Sequence, residues 1–269
     1  MTERREDRRA GVAGAMRAAY RDGAAWRRGP HVVYRRFAAA AVATVDRNIA
    51  GLTTVDAGAG TGAMGEELAA RGARVVYTDR EPAMLREAPA PRLLCDITAL
   101  GLRDHSVDLA VAGFVLSHVD EPSRAMAELA RVTRRDGLVV ATGFPAGQGH
   151  PVKEAVDAVL ADFGYGPPAW YLRLKRAGEA RVGDPAALAA LSGTAGLRAV
   201  RVACLEVALA GLTAESIVAW RLGMAQIAPF VSRLPAGRRE ALMAQAQTAL
   251  SSAALAQPVQ VLVLTGEPR

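Results

Sequence analysis

Hydrophobic and polar positions along the chain change rhythm near residue 50 and again near residue 144. Residues 1–50 read as helical, with Gly29-Pro30 dividing two stretches and an apolar run from Phe37 to Val45. From Leu52 onward, short β-rich runs alternate with helical ones. Strands are predicted over residues 52–56, 74–78, 92–95, 107–114 and 138–142. Between them, helices are predicted over residues 63–71, from Glu81-Pro82, and from Asp120-Glu121-Pro122 to Arg135, where Gly137 supplies a stop. Strands that alternate with helices and are apolar throughout belong in a parallel sheet covered on both faces.

Beyond Phe144 the rhythm loosens. Helices are expected over residues 151–163, 185–194, 214–228 and 235–252, and strands over residues 199–207 and 259–265. The last two strands are separated by about fifty residues, more than a short connection needs. The expectation is an α/β fold with a doubly wound, mostly parallel, seven-stranded sheet and helical cap insertions. Residues 1–50 would form an N-terminal helical lid. Residues 51–269 would form the core, with cap insertions at approximately 145–180 and 208–257.

Composition removes several classes. With 51% apolar and 22% charged residues and a mean hydropathy of +0.12, the chain is neither disordered nor fibrous. No apolar run approaches the ~18 residues of a membrane span, and Met1 to Ala10 does not read as a secretory leader. Cys95 and Cys204 lie far apart in no metal or redox spacing, which fits reduced thiols and a cytoplasmic location.

Charge is unevenly placed. Residues 1–36 hold ten arginines and four acids, an excess equal to the whole chain's +6, so the remainder is neutral. Only Lys153 and Lys175 represent lysine. The basic segment reads either as a solvated amphipathic helix or as an attractor of an anionic group over a site. Stacking aromatics on a basic platform are missing from the pattern, so no nucleic-acid partner is expected.

The candidate chemistry centres on Val55-Asp56-Ala57-Gly58-Ala59-Gly60-Thr61-Gly62, a glycine turn between a strand and a helix. Such a turn lets backbone approach a ligand at a helix N-terminus. Gly58, Gly60 and Ala63 also satisfy a dinucleotide fingerprint, which leaves an NAD(P)-binding oxidoreductase as an alternative. Asp56, two residues before the first glycine, suits a cationic ligand better than a pyrophosphate. This stretch resembles the first motif of the class I S-adenosylmethionine-dependent methyltransferases, acid-x-Gly-x-Gly-x-Gly, and the resemblance runs from Leu52 to Phe144. It implies a Rossmann-like fold, S-adenosyl-L-methionine as cofactor and S-adenosyl-L-homocysteine as product. In the family's pattern Asp56, Gly58, Gly60 and Gly62 would cradle the cofactor. Asp79, closing Val76-Tyr77-Thr78-Asp79, would accept both ribose hydroxyls, for which a carboxylate offers two oxygens. Cys95-Asp96-Ile97 resembles the motif whose acid takes the adenine amino group while the apolar neighbour packs on the ring. Phe114 to Asp120 resembles the segment after the fourth strand in small-molecule methyltransferases, which puts Phe114 beside the cofactor. Tyr20, Trp26 and Tyr34 resemble lid residues over its methionine end.

A sulfonium is already an excellent leaving group, so the protein must align a nucleophile and exclude water. A general base helps when the nucleophile is a hydroxyl, a protonated amine or an acidic carbon. His118, in the loop after the fourth strand, is the first candidate and His150 the second; His31 and His105 read as surface residues. Sequence contexts for base methylation, for cysteine attack on pyrimidines and for a metal-dependent catechol enzyme are all missing, so no metal is expected. Five of thirteen aromatics fall between Phe144 and Tyr171, where core packing or an aromatic pocket wall would use them. The reaction implied by the resemblance is methyl transfer to oxygen, nitrogen or carbon of a small acceptor, with an aromatic or polycyclic one expected, as in bacterial secondary metabolism. A cyclase or a binding protein that retains the cofactor on the same fold is the further alternative.

Overall fold

The computed structural model describes residues 14–269, in which residues 14–19 are helical. Asp22 opens α1 (Gly23–Arg28) by accepting the Ala25 N–H at 2.8 Å, and Pro30 at the first position opens α2 (Pro30–Ala43). Then follow β1 (Thr53–Ala57), α3 (Ala63–Ala69), β2 (Arg74–Asp79), α4 (Pro82–Leu85), β3 (Arg92–Leu94), β4 (Val107–Gly113), α5 (Pro122–Val132) and β5 (Thr133–Gly143). The C-terminal half adds α6 (Pro151–Asp162), α7 (Ala169–Val182), α8 (Pro185–Thr194) and β6 (Leu197–Val207). It ends with α9 (Ala214–Leu222), α10 (Ala228–Arg233), α11 (Ala236–Thr248), α12 (Ser252–Ala256) and β7 (Val259–Pro268).

The seven strands lie in the order β3-β2-β1-β4-β5-β7-β6. β1 to β5 pair in parallel, and β7 alone is reversed, running antiparallel to both β5 and β6. This is the doubly wound, mostly parallel sheet expected. Two buried clusters fill its faces: Leu109 and Val111 of β4 face one with Phe37 and Trp220, while Ala110 and Ala112 face the other with Met126 and Leu129. A strand buried on both sides has no polar face, which is why the central strands read as continuous apolar runs. The chain reverses its direction of winding between β1 and β4, and a crevice opens there at the strands' carboxyl ends.

Three expected helices differ in extent, and one helix was not expected. Helix α5 stops at Val132, and Arg134 to Gly137 belong to a bulged start of β5: Val107 pairs with Thr133 but Leu109 pairs with Leu138. A Cβ on Gly137 would lie 2.7 Å from the Asp108 carbonyl, so the glycine serves close strand contact rather than a helix stop. The helix expected over residues 214–228 breaks at Gly223, where a Cβ would sit 2.5 Å from Pro30 Cδ, and the chain turns before α10. The stretch over residues 235–252 divides into α11 and α12, the latter capped by Ser251. Helix α7 lies within the region expected to be cap.

Residues 1–13, with four of the ten N-terminal arginines, lie outside the described residues. Helix α2 is no loose cover: Val33, Phe37 and Ala41 are fully buried. The stretch before Gly29 lies mostly at the surface, with Met16 and Gly23 buried. Two of its four described arginines fasten it, while Arg21 and Arg28 are exposed. Arg27 pairs with Glu66 and donates to the Thr61 carbonyl at 3.0 Å, and Arg17 reaches Glu81 at 3.3 Å. From α2, Arg35 reaches Glu67 at 2.7 Å. His31, expected at the surface, is buried between Thr61 Oγ1 at 2.8 Å and Glu66 Oε2 at 3.3 Å, because α2 packs against α3. Burial, then the Arg27 charge, lowers its pKa. His105 is exposed as expected. Among the described residues no helix is long and apolar enough to cross a membrane.

Candidate functional site

The crevice contains two adjoining cavities. The first, of about 150 Å³, is lined by the glycine turn, Asp79, Ile97, Phe114 and His118, and roofed by Met16, Tyr20 and Trp26. The second, of about 360 Å³, lies beyond β5 beneath α6, α7 and α9. Tyr20, Tyr34, Phe114 and His118 line both and form the wall between them.

Gly58, Gly60 and Gly62 all hold positive φ, at 68°, 56° and 90°. At Gly58 this conformation coincides with close approach: a Cβ would lie 2.5 Å from Val115 Cγ2. Asp56 is 1% exposed, and its Oδ2 accepts the Gly65 N–H at 2.8 Å. Its Oδ1 is buried with no hydrogen-bond partner. Burial pushes the Asp56 carboxyl up to about 7, against the pull of the Gly65 bond. Gly65, overlooked in the sequence, makes this bond possible, since a Cβ there would collide with the Tyr77 ring at 2.3 Å.

Asp79 ties the loop to the next helix. Its Oδ2 accepts the Gly60 N–H and its Oδ1 the Glu81 N–H, each at 2.8 Å. Each oxygen retains acceptor capacity toward the cavity. Burial raises its pKa, and the backbone bonds oppose that shift. Ile97 and Cys95 line the first cavity, whereas the Asp96 carboxylate turns back on its own loop. Asp96 Oδ1 accepts from Thr98 N at 2.9 Å and Thr98 Oγ1 at 2.7 Å, and Oδ2 lies 3.6 Å from Arg80. Despite partial burial, those bonds and Arg80 lower its pKa.

Phe114 follows β4 at φ 57°, a left-handed conformation that costs a non-glycine residue roughly 1–3 kcal/mol. Its N–H is held by Thr142 Oγ1 at 3.0 Å, and its ring stacks on Phe144 with centroids 4.8 Å apart. The strain places this ring in the wall between the cavities. His118, in a 3₁₀ turn (Leu116–His118), faces Tyr20, whose hydroxyl lies 3.5 Å from Nδ1. Burial, then Arg80, depresses its pKa to about 4, so the ring is neutral near pH 7. Helix α7 braces this turn: Arg181 Nη1 donates to the Val119 and Asp120 carbonyls at 2.7 and 2.9 Å.

His150 lines the second cavity, yet both ring nitrogens are occupied. Nδ1 accepts the Val152 N–H at 3.3 Å as the cap of α6, and Nε2 donates to the Gln257 carbonyl at 3.3 Å. In this arrangement it is a structural cap with no free base. Burial lowers its pKa as well. Sequence reasoning passed over Lys153, Arg221 and Trp220, which line the second cavity. The scarcity of lysine was the available signal. Among the described residues no cluster of three or more His, Cys, Asp or Glu side chains is arranged to hold a metal.

Residues 55–141 match the family model described as a methyltransferase domain. A demethylmenaquinone methyltransferase of Renibacterium salmoninarum is 35% identical over 116 residues, covering 41% of this chain and 47% of that protein. A malonyl-[acyl-carrier protein] O-methyltransferase of Serratia marcescens is 36% identical over 98 residues, covering 35% of this chain and 38% of that protein. The chain thus spans less than half the length of these curated relatives. Among solved structures, phosphoethanolamine N-methyltransferase 2 of Haemonchus contortus, in complex with S-adenosyl-L-methionine, superposes with a TM-score of 0.56. That likeness has 14% identity and covers 87% of this chain and 52% of the other, so it concerns the fold.

Proposed function

We propose that this chain, whose residues 55–141 match a methyltransferase domain, is a class I methyltransferase that transfers the methyl group of S-adenosyl-L-methionine to a small organic acceptor. The observation that carries this reading is the pair of cavities with one shared wall. One holds the glycine turn with Asp56 and Asp79; the other is lined by aromatic and charged side chains; Tyr20, Tyr34, Phe114 and His118 separate them.

The first cavity fits the cofactor chemically. The orphaned Asp56 Oδ1 and the raised pKa of its carboxyl favour a neighbouring cation, such as the cofactor's ammonium, over a pyrophosphate. Asp79 has acceptor capacity left for two ribose hydroxyls after its two backbone bonds. Ile97 offers an apolar surface for a flat base. The Asp96 carboxylate, already bonded to Thr98, is less available than the family pattern implies. When bound, the cofactor supplies an electrophilic methyl group on a sulfonium.

The rest belongs to the chain. Tyr20 and Trp26, 5.3 Å apart at their ring centroids, roof the cavity and exclude water. Phe114 and Tyr34 restrict the approach from the second cavity to one direction. His118, neutral and facing Tyr20, offers an acceptor for a proton on the acceptor molecule; a pKa of about 4 makes it a positioning partner and a weak base. The small size of the second cavity supports a metabolite over a polymer as acceptor.

The reading is tested with methyl-labelled S-adenosyl-L-methionine and a pool of small metabolites, supplied beside RNA and protein. Label should pass into the low-molecular-weight fraction, and Asp79→Ala should abolish the transfer. Label in RNA or protein would overturn the acceptor class. Cofactor bound but left unconsumed, with no methylated product, would favour the cyclase or binding-protein reading.

A further inference from the structure

The second cavity has an electrostatic character that methyl transfer alone does not require. Its walls are aromatic, from Phe144, Trp170, Tyr171 and Trp220. Lys153 Nζ lies over two of these rings, 4.9 Å from the Phe144 centroid and 5.5 Å from that of Trp220. Two lysines occur in the entire chain, against thirty-one arginines, and both line this cavity.

The other charges around Lys153 are largely spoken for. Asp157, one turn along α6, accepts from Arg221 Nη2 at 2.5 Å. Glu179 of α7 lies 3.7 Å from Lys175. Glu154 lines the cavity with its side chain exposed, and His150 caps α6. That leaves Lys153 without an ion-pair partner among the described residues, in surroundings of rings and two further cations. A cation over aromatic faces is partly compensated, but an ammonium in a half-buried site gains more from a ligand anion. Burial first, then Arg221 and Lys175, lower its pKa to about 8, as expected for a cation lacking a counter-ion.

We propose that the second cavity binds an acceptor with a flat apolar body and an anionic oxygen, and that Lys153 is the counter-ion of that oxygen. The inference rests on the methyl-transfer reading for its word "acceptor" and specifies which acceptors the site takes. The rings stack on the flat body, and the lysine fixes its orientation relative to the wall at Phe114 and His118. A neutral analogue of the same shape leaves the ammonium buried against the ligand with no partner, so it binds more weakly.

The probes are 2-naphthoate and 2-naphthamide, of one shape and differing in charge, titrated by calorimetry into protein saturated with S-adenosyl-L-homocysteine at pH 7. Naphthoate should bind at least tenfold more tightly than the amide. Lys153→Met should bring the two within about twofold, with unchanged affinity for S-adenosyl-L-homocysteine. For the unmodified protein, naphthoate affinity should fall as pH rises above 8 and the amide's should not, which supplies a readout even if the variant folds poorly. Equal binding of the two probes, a preference that survives Lys153→Met, or no binding of either at millimolar concentration overturns the proposal. Failure of S-adenosyl-L-homocysteine itself to bind would instead strike the methyl-transfer reading, so the two failures are distinguishable.

Discussion

Asp56 combines a buried carboxyl, one unpartnered oxygen and a pKa pushed up to about 7. In the unfolded chain an aspartate titrates near ~3.9. Between those values the folded protein holds a proton that the unfolded chain has released, so the stability this residue contributes falls as pH rises from about 4 to about 7. Asp56→Asn removes that loss while its amide oxygen can still accept the Gly65 N–H. Its ligand-free melting temperature at pH 8 should exceed the unmodified protein's by several degrees, the gap closing toward pH 4. Scanning calorimetry at a series of pH values checks this, and a gap independent of pH would contradict it. His118 has the opposite sign. Its pKa of about 4 lies below the ordinary 6.5, so its stability contribution is lost as pH falls between those values. His118→Gln should lower kcat at least tenfold while S-adenosyl-L-homocysteine affinity stays within about twofold. An unchanged kcat would leave the histidine as packing for Tyr20. Asp56 was legible because a strand end before a glycine turn is a place where an acid has few structural reasons to be, and Asp79 because it closes the next strand where the family pattern has an acid. Lys153 and Arg221 belong to no motif; they matter through neighbours that only the folded cap brings together.

At the scale of elements, β1, β4 and the second half of β5 were readable because they lie at the centre of the sheet, largely buried on both faces, and β2 and the short edge strand β3 through their place in the alternation with helices. The bulged start of β5 was not, since Arg134 to Gly137 carry the charges and the glycine of a helix end. Helix α7 escaped because only Gly178 and Val182 of its fourteen residues are buried, leaving too narrow an apolar stripe to show a helical period. The N-terminal segment divides at Gly29. Helix α2 is core, and Phe37→Ala should cost roughly 3–5 kcal/mol by chemical denaturation, as expected when a fully buried aromatic is truncated. A loss below about 1 kcal/mol would contradict this placement. The preceding stretch covers the first cavity with Tyr20 and Trp26 and is fastened through Arg17 and Arg27. Deleting residues 1–28 should therefore leave a cooperative melt with at least tenfold weaker cofactor retention and little methyl transfer. Normal turnover by the truncated protein would make the segment dispensable.

For the whole molecule, the fold puts two differently built cavities on either side of one aromatic wall. The sheet's change of winding between β1 and β4 creates the first; the helices after β5 enclose the second. The central claim is that the first is an adenosyl site and not a dinucleotide site. Asp79 is where the claim is most exposed, since its two oxygens organise the loop and would meet the ribose. The direct measurement is calorimetric titration of S-adenosyl-L-homocysteine, NAD and NADP into the unmodified protein and Asp79→Ala. Saturable binding of S-adenosyl-L-homocysteine alone, weakened at least tenfold by the substitution, is the predicted result. Binding of a nicotinamide dinucleotide with no heat from the adenosyl ligand would contradict it.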